Sequence, residues 1–209
     1  LVLEQQFPDG RNRLVHVRRL LLLTLAGLLF FGELLLQPGG ILYSNHSDLI
    51  SLHIPRRHFL LSSLQETGEL PRWCPYEFCG TPFLHDIQLM TFYPPHAAIF
   101  LFGPQHAGTV LSWLVVAHVL LAGWLMYAYA VSEGLRLDAA LVAGFGYMFA
   151  GKWLLHLLAA GHFVVIGLAW LPLVVMLLTQ AIRRRSLARA ALAGCVFALP
   201  ILSTHPQWT

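Results

Sequence analysis

Charge is scarce in this sequence. Only 11% of its 209 residues are Asp, Glu, Lys or Arg, against 57% hydrophobic residues. A soluble domain carries about a quarter charged residues to cover its surface, so the shortage excludes an ordinary water-soluble globular protein. A mean hydropathy of +0.65 agrees. Also missing is any stripe of basic residues interleaved with aromatics, which removes a nucleic-acid-binding face despite a net charge of +3. Cysteine is limited to three residues, too few for a four-cysteine zinc site. No pair of histidines has the i, i+4 spacing around a carboxylate that marks a zinc helix. No small-residue cleavage site follows the first apolar run, which excludes a cleavable signal peptide.

What the chain does have is apolar runs. They predict an all-α integral membrane protein of about five spans, at residues 20–36, 107–131, 139–160, 163–182 and 190–202. The first run is followed by Pro38, Gly39 and Gly40, which stop it. Residues 1–19 are expected in the cytoplasm and residues 37–106 as a long extracytoplasmic loop. Charge placement gives the same orientation. Arg11, Arg13, Arg18 and Arg19 precede the first run, and Arg183, Arg184, Arg185 and Arg189 lie between the last two. With Arg136 in the expected inner turn between the second and third runs, nine of the thirteen Lys and Arg residues fall on the expected cytoplasmic side. The other four are Arg56, Arg57, Arg72 and Lys152. The start at Leu1 and the stop at Thr209 read as the N-terminal part of a longer protein.

Within the loop, Ser47 and Asp48 are placed to cap a short helix running to Thr67, with Leu49, Ile50, Leu52, Phe59, Leu60 and Leu64 on its apolar side. Such a helix is expected along the membrane surface, broken or kinked at Pro55. Pro71, Pro75, Pro82, Pro94 and Pro95 then predict irregular backbone. Cys74 and Cys79 lie close enough in sequence for a disulfide, with no geometry to settle it. His118 reads as a packed polar residue bonded to a neighbouring helix. Lys152 and His156, four residues apart, read either as the wall of a wet cavity or as a lysine snorkelling outward.

The loop contains Ser47-Asp48-Leu49, then Gly68-Glu69-Leu70-Pro71-Arg72-Trp73-Cys74-Pro75-Tyr76, Phe78-Cys79-Gly80-Thr81-Pro82-Phe83, Gln88 and Phe92-Tyr93-Pro94. Farther on come Gly144 and Tyr147, Gly161-His162, Ala169-Trp170-Leu171-Pro172 and His205-Pro206-Gln207. In order and spacing this resembles the YfhO family of bacterial membrane proteins, which is similar to the GT-C glycosyltransferases. The family has Asn where Cys74 stands, and Lys152 has no counterpart in it. The resemblance implies a GT-C-like module in a bacterial plasma membrane. The implied activity is transfer of a sugar from a polyprenyl-phosphate donor to a cell-envelope polymer or glycolipid at the outer membrane face.

For such a reaction Asp48 is the candidate general base, since inverting transfer needs one carboxylate near the acceptor hydroxyl. Its competing role is a helix N-cap. Arg56, Arg57 and Arg72 are candidates for the lipid phosphate, because a planar guanidinium donates two hydrogen bonds at once; attraction to lipid headgroups is the alternative. Trp73 and Tyr76 can stack on a sugar or serve an interfacial belt. Gln88, His162, His205 and Gln207 complete the candidate substrate-binding set. Asp86 and Glu77 can assist Asp48, and Asp48 with Asp86 can hold a divalent metal, the one cofactor suggested. A non-catalytic membrane protein, either a transporter of lipid-linked cargo or an envelope-assembly partner, is the competing class.

Overall fold

The computed structural model describes residues 10–37, 39–42, 44, 47–151 and 163–203. Most of them are helical. The first helix, α1 (Gly10–Phe30), starts well ahead of the apolar run. Arginine and histidine are tolerated in helices, so the basic segment continues the helix instead of preceding it. Phe31, at φ −94° and ψ 22°, separates α1 from the single turn α2 (Gly32–Leu36). A π-helical turn, Leu49–His53, leads into α3 (Ile54–Thr67). The strands β1 (Trp73–Cys74) and β2 (Thr81–Pro82) form an antiparallel hairpin with Trp73 opposite Pro82. Short 3₁₀ segments then carry the chain to α4 (Ala107–Ser132), α5 (Leu137–Met148), α6 (Phe163–Leu168), α7 (Leu171–Arg184) and α8 (Leu187–Ser203).

Two helical stretches among the described residues are long and apolar enough to cross a membrane, Pro104–Ser132 and Val164–Arg184. The latter joins α6 to α7 across a break at Ala169–Trp170, and Pro172 explains the break. A proline at this position has no N–H to offer the carbonyl four residues back, which belongs to Leu168. The orphaned oxygen accepts a hydrogen bond from Tyr147 Oη instead, at 2.8 Å. The expected span 139–160 departs from expectation as well. Its helix stops at Met148, Phe149 turns out of helical geometry at φ −107° and ψ 21°, and residues 152–162 lie outside the described residues. Glycine and aromatic residues from Gly144 to Phe149 prefer helix weakly, and the bond from Tyr147 to α6 fixes the chain where α5 ends.

Glycines set the spacing of α1, α4 and α5. A Cβ on Gly144 would come within 3.0 Å of the Gly123 carbonyl oxygen, and one on Gly123 within 2.9 Å of Met148 Sδ. Backbones this close are typical of small-residue helix contacts in apolar surroundings. Leu23, Val115, Val116 and Met148 fill the seam, and Trp124 Nε1 donates to Thr24 Oγ1 at 3.1 Å across it. Beyond the end of α4, Arg19 pairs with Asp138 at 2.7 Å and Arg183 with Glu133 at 2.6 Å. The basic start of α1, the 133–138 turn and the basic end of α7 therefore lie together. Residues 47–106 occupy the other end. Leu49, Leu61 and Ile99 pack on Ala107 and Leu111 at the start of α4, and Met90 and Tyr93 pack on Val164 and Ile166 of α6.

Candidate functional site

Asp48 opens the π-helical turn as an exposed residue, and its side chain makes no capping hydrogen bond. Ser47 does that work: its Oγ accepts the Leu49 N–H at 3.2 Å. Pro55 does not stop the helical run: it sits in the first turn of α3, directly after the π-helical turn Leu49–His53, where the helix hydrogen-bonding pattern changes. The continuous run from Leu49 to Thr67 ends at Gly68, whose φ of +74° suits a residue without Cβ.

The first two residues after Pro55 meet opposite environments, because a helix turns about 100° per residue. Arg56 faces the hairpin. Its Nε and Nη2 donate to the two carboxylate oxygens of Glu77 at 2.8 and 2.7 Å, and Nη1 donates to Asp86 Oδ2 at 2.7 Å. The bond to Glu77 raises the pKa of Arg56 further. Asp86 uses its other oxygen to cap a 3₁₀ turn, accepting the Gln88 N–H at 2.9 Å. Neither Glu77 nor Asp86 is left open for a metal, and among the described residues no three His, Cys, Asp or Glu side chains gather to hold one.

Arg57 faces inward and is 2% exposed. It has no carboxylate partner among the described residues. Its Nη2 lies 3.3 Å from Nδ1 of the equally buried His96, while Nε and Nη1 have no hydrogen-bond partner among the described residues. Burial, and secondly Arg56, lowers its pKa to about 9, so it stays cationic at neutral pH. His53, one turn back on the same face of the helical run, is buried too. Burial first, then Arg57 and Arg56, lowers its pKa to about 3. The same causes, burial and then Arg57, hold His96 well below its ordinary value. The cluster thus offers one fixed positive charge among neutral imidazoles.

Tyr93, fully buried, joins this cluster to the helices. Its ring meets His96 edge-on with centroids 5.5 Å apart. Its hydroxyl lies 2.6 Å from His118 Nε2 on α4 and accepts from Trp170 Nε1 at 2.6 Å. His118 Nδ1 lies 2.6 Å from the Leu114 carbonyl, so Nδ1 carries the proton and Nε2 must accept from Tyr93. The bonds run in one direction: Trp170 donates to Tyr93, Tyr93 to His118, and His118 to the Leu114 carbonyl. The partner of His118 is a loop tyrosine rather than a neighbouring helix.

The other sequence candidates scatter. Arg72, Trp73 and Tyr76 are exposed on the hairpin, where Tyr76 leans on Phe59 at 5.7 Å and the Trp73 ring lies over Gly80. Gln88 is half-buried. His162, His205 and Gln207 lie outside the described residues, as do Lys152 and His156. Cys74, buried, and Cys79, exposed, are free thiols. The convergence of His53, Arg57, Tyr93, His96, His118 and Trp170 escaped the sequence reading. The signals available were the i, i+4 spacing of His53 and Arg57 and the two aromatic-proline segments, Tyr93-Pro94 and Trp170-Leu171-Pro172. No protein-family model, curated protein or solved structure matches the chain.

Proposed function

We propose that the chain is a five-span, all-α membrane protein that carries residues 37–106 on the outer face of a bacterial plasma membrane. In this reading it works there as a GT-C-type glycosyltransferase. Membrane embedding is supported by apolar side chains on the outside of the bundle, such as Leu29 on α1, Val142 on α5 and Ile182 on α7, each at least 70% exposed. In water such surfaces would be a liability. The orientation is supported by the basic residues grouped at the far end from the loop. The enzymatic reading draws on the resemblance to the YfhO family, and one observation carries it to a residue: Asp48 is exposed beside the membrane helices, and Ser47 has taken over the capping role that competes with catalysis.

In the proposed reaction Asp48 accepts the proton of the acceptor hydroxyl as that oxygen attacks the anomeric carbon. The polyprenyl phosphate leaves from the opposite face of the sugar, and a basic side chain steadies its charge. Exposed Trp73 and Tyr76 offer stacking surfaces for the sugar. A metal held by Asp48 and Asp86 would require Asp86 to abandon Arg56, so the scheme uses none. The test is sugar transfer from a polyprenyl-phosphate donor by membranes carrying wild-type or Asp48→Asn protein at matched expression. Loss of a general base lowers the rate by about 10²–10⁴-fold. Retained transfer removes Asp48 from the reaction, and cytosolic labelling of cysteines engineered into residues 47–105 overturns the orientation.

The break between α6 and α7 favours one alternative, a transporter of lipid-linked cargo, since discontinuous helices line substrate paths in such proteins. Flipping of a lipid-linked sugar in reconstituted vesicles, without transfer, decides for it.

A further inference from the structure

Two adjacent arginines in α3 have divided their tasks. Arg56 is saturated by Glu77 and Asp86, and it holds the hairpin and the 86–89 turn against the helix. Arg57 lies buried with open donors on more than one edge of its guanidinium. A buried cation without full hydrogen-bonded compensation is destabilising in general, and the described residues supply it only at Nη2, through His96. The four charges of the cluster, Arg56, Arg57, Glu77 and Asp86, sum to zero. The field of Asp86 therefore helps keep Arg57 ionised, yet both Asp86 oxygens are already spent, on Arg56 and on the Gln88 N–H. Charge is balanced at a distance while the donors at contact are not.

We propose that Arg57 is the cationic anchor of a site for one phosphate-class oxyanion, presented either by a lipid headgroup or as free phosphate. The open Nε shares one edge of the guanidinium with Nη2, so a single oxyanion can bridge that edge with two oxygens, and a phosphate keeps further oxygens for neighbouring donors where a carboxylate has none. His96, whose Nδ1 faces Nη2, and Tyr93, edge-on to His96, hold the wall of the site. Arg56 takes no part in binding. It keeps Asp86 from swinging onto Arg57 and closing the site with an internal ion pair. The lipid source rests on the outer-face reading above, whereas the anion site does not.

The experiment uses the full chain purified in a neutral maltoside detergent and follows thermal unfolding as probes are titrated. One arm adds inorganic phosphate against sodium chloride of equal ionic strength. The other adds decaprenyl phosphate against decaprenol, which has the same chain without the phosphate. We expect Tm to rise with concentration of a phosphate-bearing probe and not with its control. A response to decaprenyl phosphate alone assigns a headgroup, to inorganic phosphate alone a soluble anion, and to both the group itself. Arg57→Met should weaken the responding probe about tenfold or more, while the unliganded variant is at least as stable as wild type because a lone buried charge has gone. Arg57→Lys, which keeps the charge but loses the planar fork, should bind several-fold more weakly and serves if the Met variant does not fold. The proposal is overturned if neither probe raises the wild-type Tm, or if both variants respond as wild type does. Because binding is read without turnover, failure of the Asp48→Asn transfer test leaves this result standing.

Discussion

Replacing Tyr93 by Phe removes one oxygen and strands two partners. The ring keeps its place, since its contacts with His96 and His118 are ring contacts at 5.5 and 5.7 Å. What goes is the 2.6 Å bond to His118 Nε2 and the 2.6 Å bond from Trp170 Nε1. Tyr93 is 0% exposed, so water does not replace the hydroxyl. Stranding a buried polar group costs about 1–3 kcal/mol, and two such groups, allowing for partial relaxation, put the loss at roughly 2–4 kcal/mol. For a chain of this size that corresponds to a Tm fall on the order of 10 °C. The assay is thermal or denaturant unfolding in detergent of four proteins: wild type, Tyr93→Phe, Trp170→Phe and the double variant. Because the two single changes break the same bond, the double variant should lose less than their sum by about 1 kcal/mol or more. Strict additivity, or a Tyr93→Phe loss under about 0.5 kcal/mol, would refute the hydrogen-bonded chain.

The helix break gives a second cycle: Tyr147→Phe strands the Leu168 carbonyl and should cost about 1–2 kcal/mol, but in a Pro172→Ala background the restored N–H satisfies that carbonyl and the cost should shrink to a few tenths. A full-sized Tyr147→Phe effect in that background contradicts the assignment. Acid should loosen the loop module. With a folded pKa of about 3 and an unfolded value of 6.5, His53 binds more protons unfolded between those limits; its contribution is intact above pH 6.5 and falls as pH drops below it, by up to about 2 kcal/mol at pH 5. His96 shifts in the same direction, so a Tm at pH 5 equal to that at pH 7.5 would exclude neutral buried imidazoles, and His53→Leu should flatten the profile.

How much of this was legible depends on the range of the interaction. The helix Ala107–Ser132 is written in one uninterrupted apolar run, and its ends fall within a residue of the hydropathy reading. The start of α1 was hidden because a basic helical segment and a basic loop look alike by hydropathy. The stop at Met148 was hidden because an apolar run does not show where its hydrogen bonds end; only the bond between Tyr147 and Leu168, twenty-one residues apart, does. Arg56 and Arg57 were indistinguishable as letters, and the turn angle of a helix separates them into a saturated and an unsaturated cation. The exposed carboxylate at Asp48 was visible from the Ser47-Asp48 start of the loop helix, but which of the two side chains caps it required the backbone.

The loop site and the helix break are one mechanical unit, and a single proline accounts for the link. Pro172 withholds an N–H from Leu168, the helix opens at Ala169–Trp170, and Trp170 is left where its indole can reach Tyr93. Tyr93 in turn stands between His118 of α4 and His96, which touches Arg57. Anything that straightened the joint between α6 and α7 would draw Trp170 away and leave Tyr93 held only by His118, on the far side of His96 from the buried cation. Conversely, an anion seated on Arg57 would stiffen His96 and Tyr93 and, through them, the bent state of the helix. Linkage makes these the same free energy. Pro172→Ala should therefore weaken phosphate binding even though residue 172 belongs to a helix remote in sequence from Arg57. If phosphate affinity is unchanged in Pro172→Ala while it is lost in Arg57→Met, the site and the joint are independent and the coupling argument fails.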